Sequence, residues 1–142
     1  MSAVAASVRV VVAEPDVELR RQIIEVVQTA AKDASVSVTV AQAGDGTTAL
    51  ALCSDHRPAL VVAEVLLEGL SGLTLLRRLR AEAGSATAVI FVSDMGRETD
   101  RYWGLRGGAH AYLAKPFDEA TLRDRVRRVL TKGTDAPPER PG

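Results

Sequence analysis

The sequence has little of several features that would each point to a particular class of protein. It contains one cysteine, Cys53, so no internal disulfide can form, which favours a reducing compartment. No apolar run approaches the roughly 20 residues that a transmembrane helix needs. Residues 1–7 have neither the basic stretch nor the long apolar core of a secretory signal. We therefore expect a cytoplasmic protein that does not associate with membranes.

An excess of charge of one sign is also lacking. Lys and Arg together number 18, and Asp and Glu together also number 18, so the formal net charge is zero. A strong field of one sign draws proteins to nucleic acids and anionic membranes, so this balance disfavours both as partners. The 142 residues, 46% of them hydrophobic, suffice for one domain with a buried core.

Apolar runs rich in valine and isoleucine alternate with helical patterns along most of the chain. The predicted strands cover residues 8–13, 36–41, 59–63, 88–92 and 110–114. A helical pattern follows each run; the first has Asp16 as a plausible N-cap, and the last covers about 118–130. Because crossovers between parallel strands are right-handed, five such units predict an α/β fold, a doubly wound parallel sheet with helices on both faces.

The same patterns predict where the domain begins and ends. We expect a short extension over residues 1–7 and an ordered domain over residues 8–131. Residues 132–142 are rich in proline and polar side chains and show no apolar periodicity. This stretch is predicted to be either a free, flexible end or the start of a linker.

Polar side chains stand where four of the predicted strands end. They are Glu14, Glu64, Ser93 and Lys115. Ligands of open parallel sheets bind beyond the carboxyl ends of the strands, so these groups are expected to converge on one rim. Two acids, a hydroxyl and an ammonium at one rim would form an oxyanion or metal site.

Three motifs carry a resemblance to a known family. They are the stretch 58–64 followed by Gly69 and Gly72, the tetrapeptide 43–46, and the stretch 107–117 with its Tyr112-Leu113-Ala114-Lys115-Pro116 sequence. Between about residues 8 and 130 the chain resembles the receiver domains of two-component response regulators. The resemblance implies a flavodoxin-like sheet of order 2-1-3-4-5 and a signalling role rather than an enzyme's.

The chain departs from that family where phosphorylation takes place. Family members carry a phosphoryl-accepting aspartate at the end of strand three, and magnesium is held by it and by an acidic pair at the end of strand one. Here Glu64 stands at the acceptor position. The acidic pair aligns with Val12-Ala13 or with Ala13-Glu14, so Ala13 fills one position in either case. Because magnesium demands near-octahedral oxygen coordination, we expect weak or no binding and no other cofactor. The resemblance thus implies an atypical, phosphorylation-independent member, or pseudo-receiver.

The output positions of the family are retained. Ser93 and Lys115 match the residues that contact the phosphoryl group, and Tyr112 matches the aromatic switch that turns inward on activation. The peptide between Lys115 and Pro116 is expected to be cis, as is common in the family. A protein partner or a second copy is expected to bind the fourth helix, fifth strand and last helix. The candidate contact residues are Arg101, Trp103, Arg106, Tyr112, Arg123 and Arg127.

Other interpretations of these residues stay open. Glu64 is also explained as a structural anion paired with Lys115, and Tyr112 as a packing residue. A second hypothesis is a phosphorylatable switch that uses Glu64 or Asp94 with a reduced magnesium site. A third is a nucleic-acid-associated regulator that uses the arginines of the last helix. Against it, the pairs Glu119–Arg123 and Asp124–Arg128 have the i,i+4 spacing of a solvated helix face.

Overall fold

The computed structural model describes residues 7–82, 85–133 and 138–140. The strands are β1 (Val8–Ala13), β2 (Val38–Ala43), β3 (Leu60–Ala63), β4 (Ala88–Ser93) and β5 (Ala111–Ala114). The helices are α1 (Val17–Asp33), α2 (Gly46–His56), α3 (Gly72–Ala81), α4 (Glu98–Arg106) and α5 (Glu119–Lys132).

All five strands are parallel and form one sheet in the order β2-β1-β3-β4-β5, which confirms the predicted α/β architecture. β3 and β4 are buried along their whole length because helices cover both faces, which explains their unbroken apolar sequences. The register pairs Ala13 with Ala63 and Ser93 with Ala114. The residues that follow these pairs therefore meet at one edge of the sheet.

Each face of the sheet has its own apolar core. On one face α2, α3 and α4 cover a cluster centred on Leu76 and Phe91. On the other face α1 and α5 cover a cluster that includes Ile90 and Leu122. Asp16 caps α1 by accepting a hydrogen bond from the N–H of Leu19, as its position predicts.

The prediction for β2 was wrong by two residues. The strand begins at Val38 instead of residue 36, because the end of α1 continues into a turn. In that turn Ser35 has a φ of 55°, and the N–H of Val36 donates to the carbonyl of Ala31 at 2.9 Å. Pairing with β1 then extends the strand to Ala43.

Part of the predicted C-terminal end segment contacts the domain. Residues 1–6, 134–137 and 141–142 lie outside the described residues, so most of the two predicted end segments has no structural account. Within 138–140, however, the N–H of Glu139 donates to the carbonyl of His110 at 2.8 Å. No helix in the described part of the chain is both long and apolar enough to span a bilayer.

Candidate functional site

The four polar side chains predicted at the strand ends do converge. Glu14 follows β1, Glu64 follows β3, Ser93 ends β4 and Lys115 follows β5. The Nζ of Lys115 lies 2.5 Å from Oε1 of Glu14 and 3.0 Å from Oε1 of Glu64. Both carboxylates are nearly inaccessible, with Glu14 2% and Glu64 3% exposed. The site is thus a buried cluster of two carboxylates around one ammonium.

The carboxylate of Glu64 is held from several directions. Its Oε2 accepts a hydrogen bond from the hydroxyl of Ser93 and another from the N–H of Leu66 at 3.0 Å. Its Oε1 accepts from the N–H of Asp94 at 3.1 Å. Burial alone raises the pKa of Glu64, but these hydrogen bonds and the contact with Lys115 outweigh it and hold the pKa below its usual value. Glu64 is therefore a charged, fully engaged acceptor at neutral pH.

Lys115 is charged for a matching reason. Burial lowers the pKa of its ammonium, but the hydrogen bonds and charges of Glu14 and Glu64 raise it above the usual value. A third carboxylate, that of Asp94, lies 3.8 Å from Nζ, and its side chain is 71% exposed. The carboxylate of Asp94 thus lies at the mouth of the cluster, and its backbone N–H is part of the cluster.

The residues present do not fit the magnesium site that the fold family implies. Ala13 is the last residue of β1, and the side chain that enters the cluster from this strand end is that of Glu14, which favours the Ala13-Glu14 alignment. Ala13 offers no oxygen, and Lys115 already contacts the two remaining carboxylates. Among the described residues, no group of three or more His, Cys, Asp or Glu side chains is arranged to hold a metal ion.

Tyr112 points into the domain. Its side chain is only 4% exposed, its ring packs on Phe91 with centroids 5.7 Å apart, and its hydroxyl donates to the carbonyl of Met95. Burial raises the pKa of its phenol. The prediction that Tyr112 belongs to an exposed partner surface was therefore wrong, while its place at the switch position stays a prediction.

The space for this ring is provided by Gly104 in α4. A Cβ at position 104 would lie 2.6 Å from Cδ2 of Tyr112, closer than real contacts allow. Sequence reasoning missed Gly104. A glycine inside a helix lowers stability, so its presence in a predicted helix suggests that another group packs closely against it. The sequence therefore did contain a signal for this contact.

The remaining candidate contact residues do not all lie on one surface. Trp103 is 64% exposed and stacks edge-to-face with Tyr102, and Arg106 is also exposed. Arg127 is exposed as well, and its guanidinium lies 3.4 Å from Asp124. Arg123, in contrast, lies toward α1, with its Nε 3.9 Å from Oδ2 of Asp33. The prediction that Arg123 belongs to the same partner face as Trp103 and Arg106 was therefore wrong, since α5 turns this residue toward α1.

Arg101 is not free to contact a partner, because it is already occupied. Its guanidinium donates to Glu139 at 2.8 Å, and Arg125 donates to the other carboxylate oxygen of Glu139 at 2.7 Å. Glu139 escaped sequence reasoning, since nothing in a polar, proline-rich stretch shows which residue returns to the domain.

The peptide between Lys115 and Pro116 is cis, as expected. The sheet order and the carboxylate–hydroxyl–ammonium cluster together define a receiver-type α/β domain. Residues 10–127 match the family model of the response regulator receiver domain, and the chain belongs to that family. It is 39% identical to Protein PilH of Pseudomonas aeruginosa over 92 residues, which cover 64% of this chain and 76% of PilH. It is 32% identical to the DNA-binding response regulator MtrA of Mycobacterium tuberculosis over 131 residues, 92% of this chain but only 54% of MtrA.

Solved structures show the same fold. The receiver domain of Francisella response regulator 1452 superposes with a TM-score of 0.68 at 30% identity, over 89% of this chain and 98% of that one. The chemotaxis response regulator CheY4 of Vibrio cholerae superposes with a TM-score of 0.73 at 22% identity, over 88% of this chain and all (100%) of that one. At that lower identity the likeness to CheY4 concerns the fold alone.

Proposed function

We propose that this receiver domain is a pseudo-receiver: a signalling module that binds protein partners without being phosphorylated. The observation that carries the proposal is the state of Glu64. Both of its oxygens are engaged, by Ser93, by two backbone N–H groups and by Lys115. A phosphoryl acceptor must offer a free oxygen in line with the incoming phosphorus, and phosphoryl transfer depends mainly on such positioning.

Loss of the metal ligands supports the same proposal. Phosphoryl transfer needs the charge on the equatorial oxygens to be neutralised, which receiver domains achieve with magnesium. In this chain Ala13 removes one carboxylate, and the Glu14 carboxylate is paired with Lys115. We propose that the domain needs no cofactor.

The switch residues indicate what Glu64 does instead. In the family, the hydroxyl and lysine contact the phosphoryl group, and the aromatic residue turns inward on activation. Here Ser93 and Lys115 contact the Glu64 carboxylate, and Tyr112 is inward. We propose that Glu64 holds the active-like arrangement permanently, with its extra methylene carrying negative charge to where the phosphoryl group would stand.

The proposed partner surface lies on α4 and α5. Its centre is the exposed pair Tyr102 and Trp103, since aromatic residues flanked by arginine are frequent anchors of protein interfaces. The partner is proposed to be a cytoplasmic protein or a second copy of the chain. Nucleic acid is not favoured, because the arginines 123, 125, 127 and 128 of α5 all lie within 4 Å of carboxylates. DNA binding is a property of MtrA as a whole, and this chain spans about half of MtrA.

Phosphate uptake tests the proposal directly. The chain is incubated with acetyl phosphate and magnesium, and its intact mass is measured. We expect no phosphoryl adduct for the natural chain or for Glu64→Asp, because Ala13 still lacks its carboxylate. The double variant Ala13→Asp with Glu64→Asp is expected to form an adduct when magnesium is present during the incubation, and none when a chelator is present from the start.

The opposite results have definite meanings. An adduct on the natural chain, located at Glu64 or Asp94 by peptide mapping, would establish the phosphorylatable switch instead. Robust magnesium-dependent uptake by Glu64→Asp alone would show that Ala13 is not what disables the metal site.

A further inference from the structure

The described residues 138–140 reach the surface between α4 and α5, where Glu139 makes three polar contacts. Its N–H donates to the carbonyl of His110, the residue before β5, at 2.8 Å. Its Oε2 accepts from Arg101 of α4 at 2.8 Å, and its Oε1 accepts from Arg125 of α5 at 2.7 Å. One residue from the C-terminal segment thus connects α4, the start of β5 and α5.

These contacts differ from an ordinary surface ion pair. The side chain of Glu139 is 17% exposed, whereas Pro138 and Arg140 on either side are exposed. The side chains of Arg101 and Arg125 are themselves 37% and 28% exposed. Each carboxylate oxygen has its own guanidinium, and partly buried, charge-assisted hydrogen bonds of this kind are stronger than screened surface pairs.

The backbone contact makes the arrangement specific for a segment of chain. A free carboxylate would satisfy the two guanidinium groups but not the carbonyl of His110, which requires an N–H from the same residue. A residue that supplies both a carboxylate and a backbone N–H, in the order seen at Glu139, therefore fits best. Because Pro138 and Arg140 are exposed, the site does not select the residues on either side of the acidic one.

We propose that Arg101, Arg125 and the His110 carbonyl form a binding site for an acidic residue of a polypeptide segment, and that Glu139 fills it in cis. The bound segment acts as a clasp that restrains α4 and excludes an acidic segment of a partner from the same site. Only the second role rests on the proposed interaction function; the site and its cis occupant stand on the contacts of Glu139.

Hydrogen exchange of the full-length chain tests the clasp itself. The amide at position 139 is expected to exchange at least about tenfold more slowly than in an unstructured peptide of the same sequence. Glu139→Gln keeps the N–H but loses the charge, so this protection is expected to fall and α4 amides to exchange faster. Arg125→Gln is expected to act in the same direction but less strongly, because Arg101 still contacts the Glu139 carboxylate. The double variant is expected to have no greater effect than Glu139→Gln alone, because that variant already loses the contact with Arg125.

Glu68→Gln serves as the matched control, because it removes one negative charge from an exposed glutamate elsewhere on the surface. It is expected to leave exchange at position 139 and in α4 unchanged. Exchange of the natural chain at the unstructured rate, or additive effects of the two single variants, would overturn the clasp.

A peptide probe tests whether the site accepts a segment in trans. The probe copies residues 134–142, and its binding is followed by the side-chain NMR signals of Arg101 and Arg125. Because a tethered segment has a millimolar effective concentration, binding to the Glu139→Gln chain is expected to be at least about tenfold tighter than to the natural chain. A probe with glutamine at position 139 is expected not to bind. Equal binding to both chains, or none to the variant at about 10 mM probe, would overturn the competition.

This outcome is separate from that of the proposed function. The phosphate assay reports on Glu64 and Ala13, whereas the exchange and peptide experiments report on Glu139 and its partners. A chain that accepts phosphate and still shows a protected amide at 139 would contradict the pseudo-receiver and leave the clasp intact.

Discussion

A glutamate at position 64 carries its carboxylate one methylene farther from the backbone than the aspartate that response regulators phosphorylate. That length brings both oxygens into reach of Ser93 and Lys115, and burial completes the enclosure. Replacing Glu64 by glutamine keeps the shape but removes the charge that Lys115 faces. We therefore expect Glu64→Gln to change the stability of the domain as well as its signalling.

The pH dependence of this residue has a definite sign. The pKa of Glu64 in the folded chain lies below the ordinary value of 4.5, so its contribution to stability is present above that pH and is lost as pH falls through the folded pKa. We expect Glu64→Gln to lower the free energy of unfolding by about 2 kcal/mol at pH 7. The difference in free energy of unfolding between the natural chain and the variant should become smaller below pH 4.5. Urea unfolding at several pH values measures both, with the exposed Glu68→Gln as control. If this difference in unfolding free energy did not change with pH, that result would contradict a lowered pKa for Glu64.

Gly104 offers a second test at a single position. Alanine normally stabilises a helix interior by about 1 kcal/mol relative to glycine. At position 104, however, its methyl would lie 2.6 Å from the ring of Tyr112, so we expect Gly104→Ala to lower the melting temperature or to expel the ring. Thermal unfolding and the NMR shifts of the Tyr112 ring distinguish these results. Gly107→Ala, whose Cβ would meet nothing nearer than 3.3 Å, is the control. A stabilised Gly104→Ala chain with an unmoved ring would contradict the packing.

Sequence reasoning succeeded at residues whose place follows from the strand ends. Glu14, Glu64, Ser93 and Lys115 converge because parallel strands end at the same edge, and that rule needs no coordinates. The inward position of Tyr112 could not be predicted from the sequence, because it depends on the space beside Gly104 in α4.

At the scale of the elements, the central strands were the easiest to predict and the outer elements the hardest. β3 and β4 are continuous apolar runs and were placed within one residue of the observed bounds. β2 lies at the edge with partly exposed residues, so its bounds depend on pairing with β1 and on the turn at Ser35, neither of which local composition reveals.

Among the helices, α4 has the least apolar contact with the sheet. Its buried residues are only Gly104 and Leu105, whereas α3 buries Leu75, Leu76 and Leu79. Local opening requires less free energy where little apolar surface is buried, so we expect α4 amides to exchange faster than α3 amides. Hydrogen exchange followed by mass spectrometry compares the two helices in one experiment. Equal protection would indicate that contacts outside the core, such as the clasp, fix α4 as firmly as packing fixes α3.

At the scale of the whole molecule, the balance of 18 basic and 18 acidic residues leaves no large field of one sign. The four arginines of α5 lie within 4 Å of a carboxylate, Arg123 near that of Asp33 and the other three near that of Asp124. We expect no retardation of duplex DNA by the chain at about 50 mM salt, a concentration at which phosphate contacts are favoured. Binding that weakens steeply with added salt would contradict this and revive the nucleic-acid hypothesis.

The buried cluster of Glu14, Glu64 and Lys115 bears on how long a signalling state lasts. A phosphorylated aspartate is an acyl phosphate, which water cleaves. The active state of an ordinary receiver domain therefore has a limited lifetime. The carboxylate of Glu64 belongs to the carbon skeleton and has no bond of that kind to lose. In the pseudo-receiver proposed above, a message held by Glu64 would not decay, and its strength would follow the number of copies in the cell. Control would then pass from a kinase and a phosphatase to the synthesis and degradation of the protein itself.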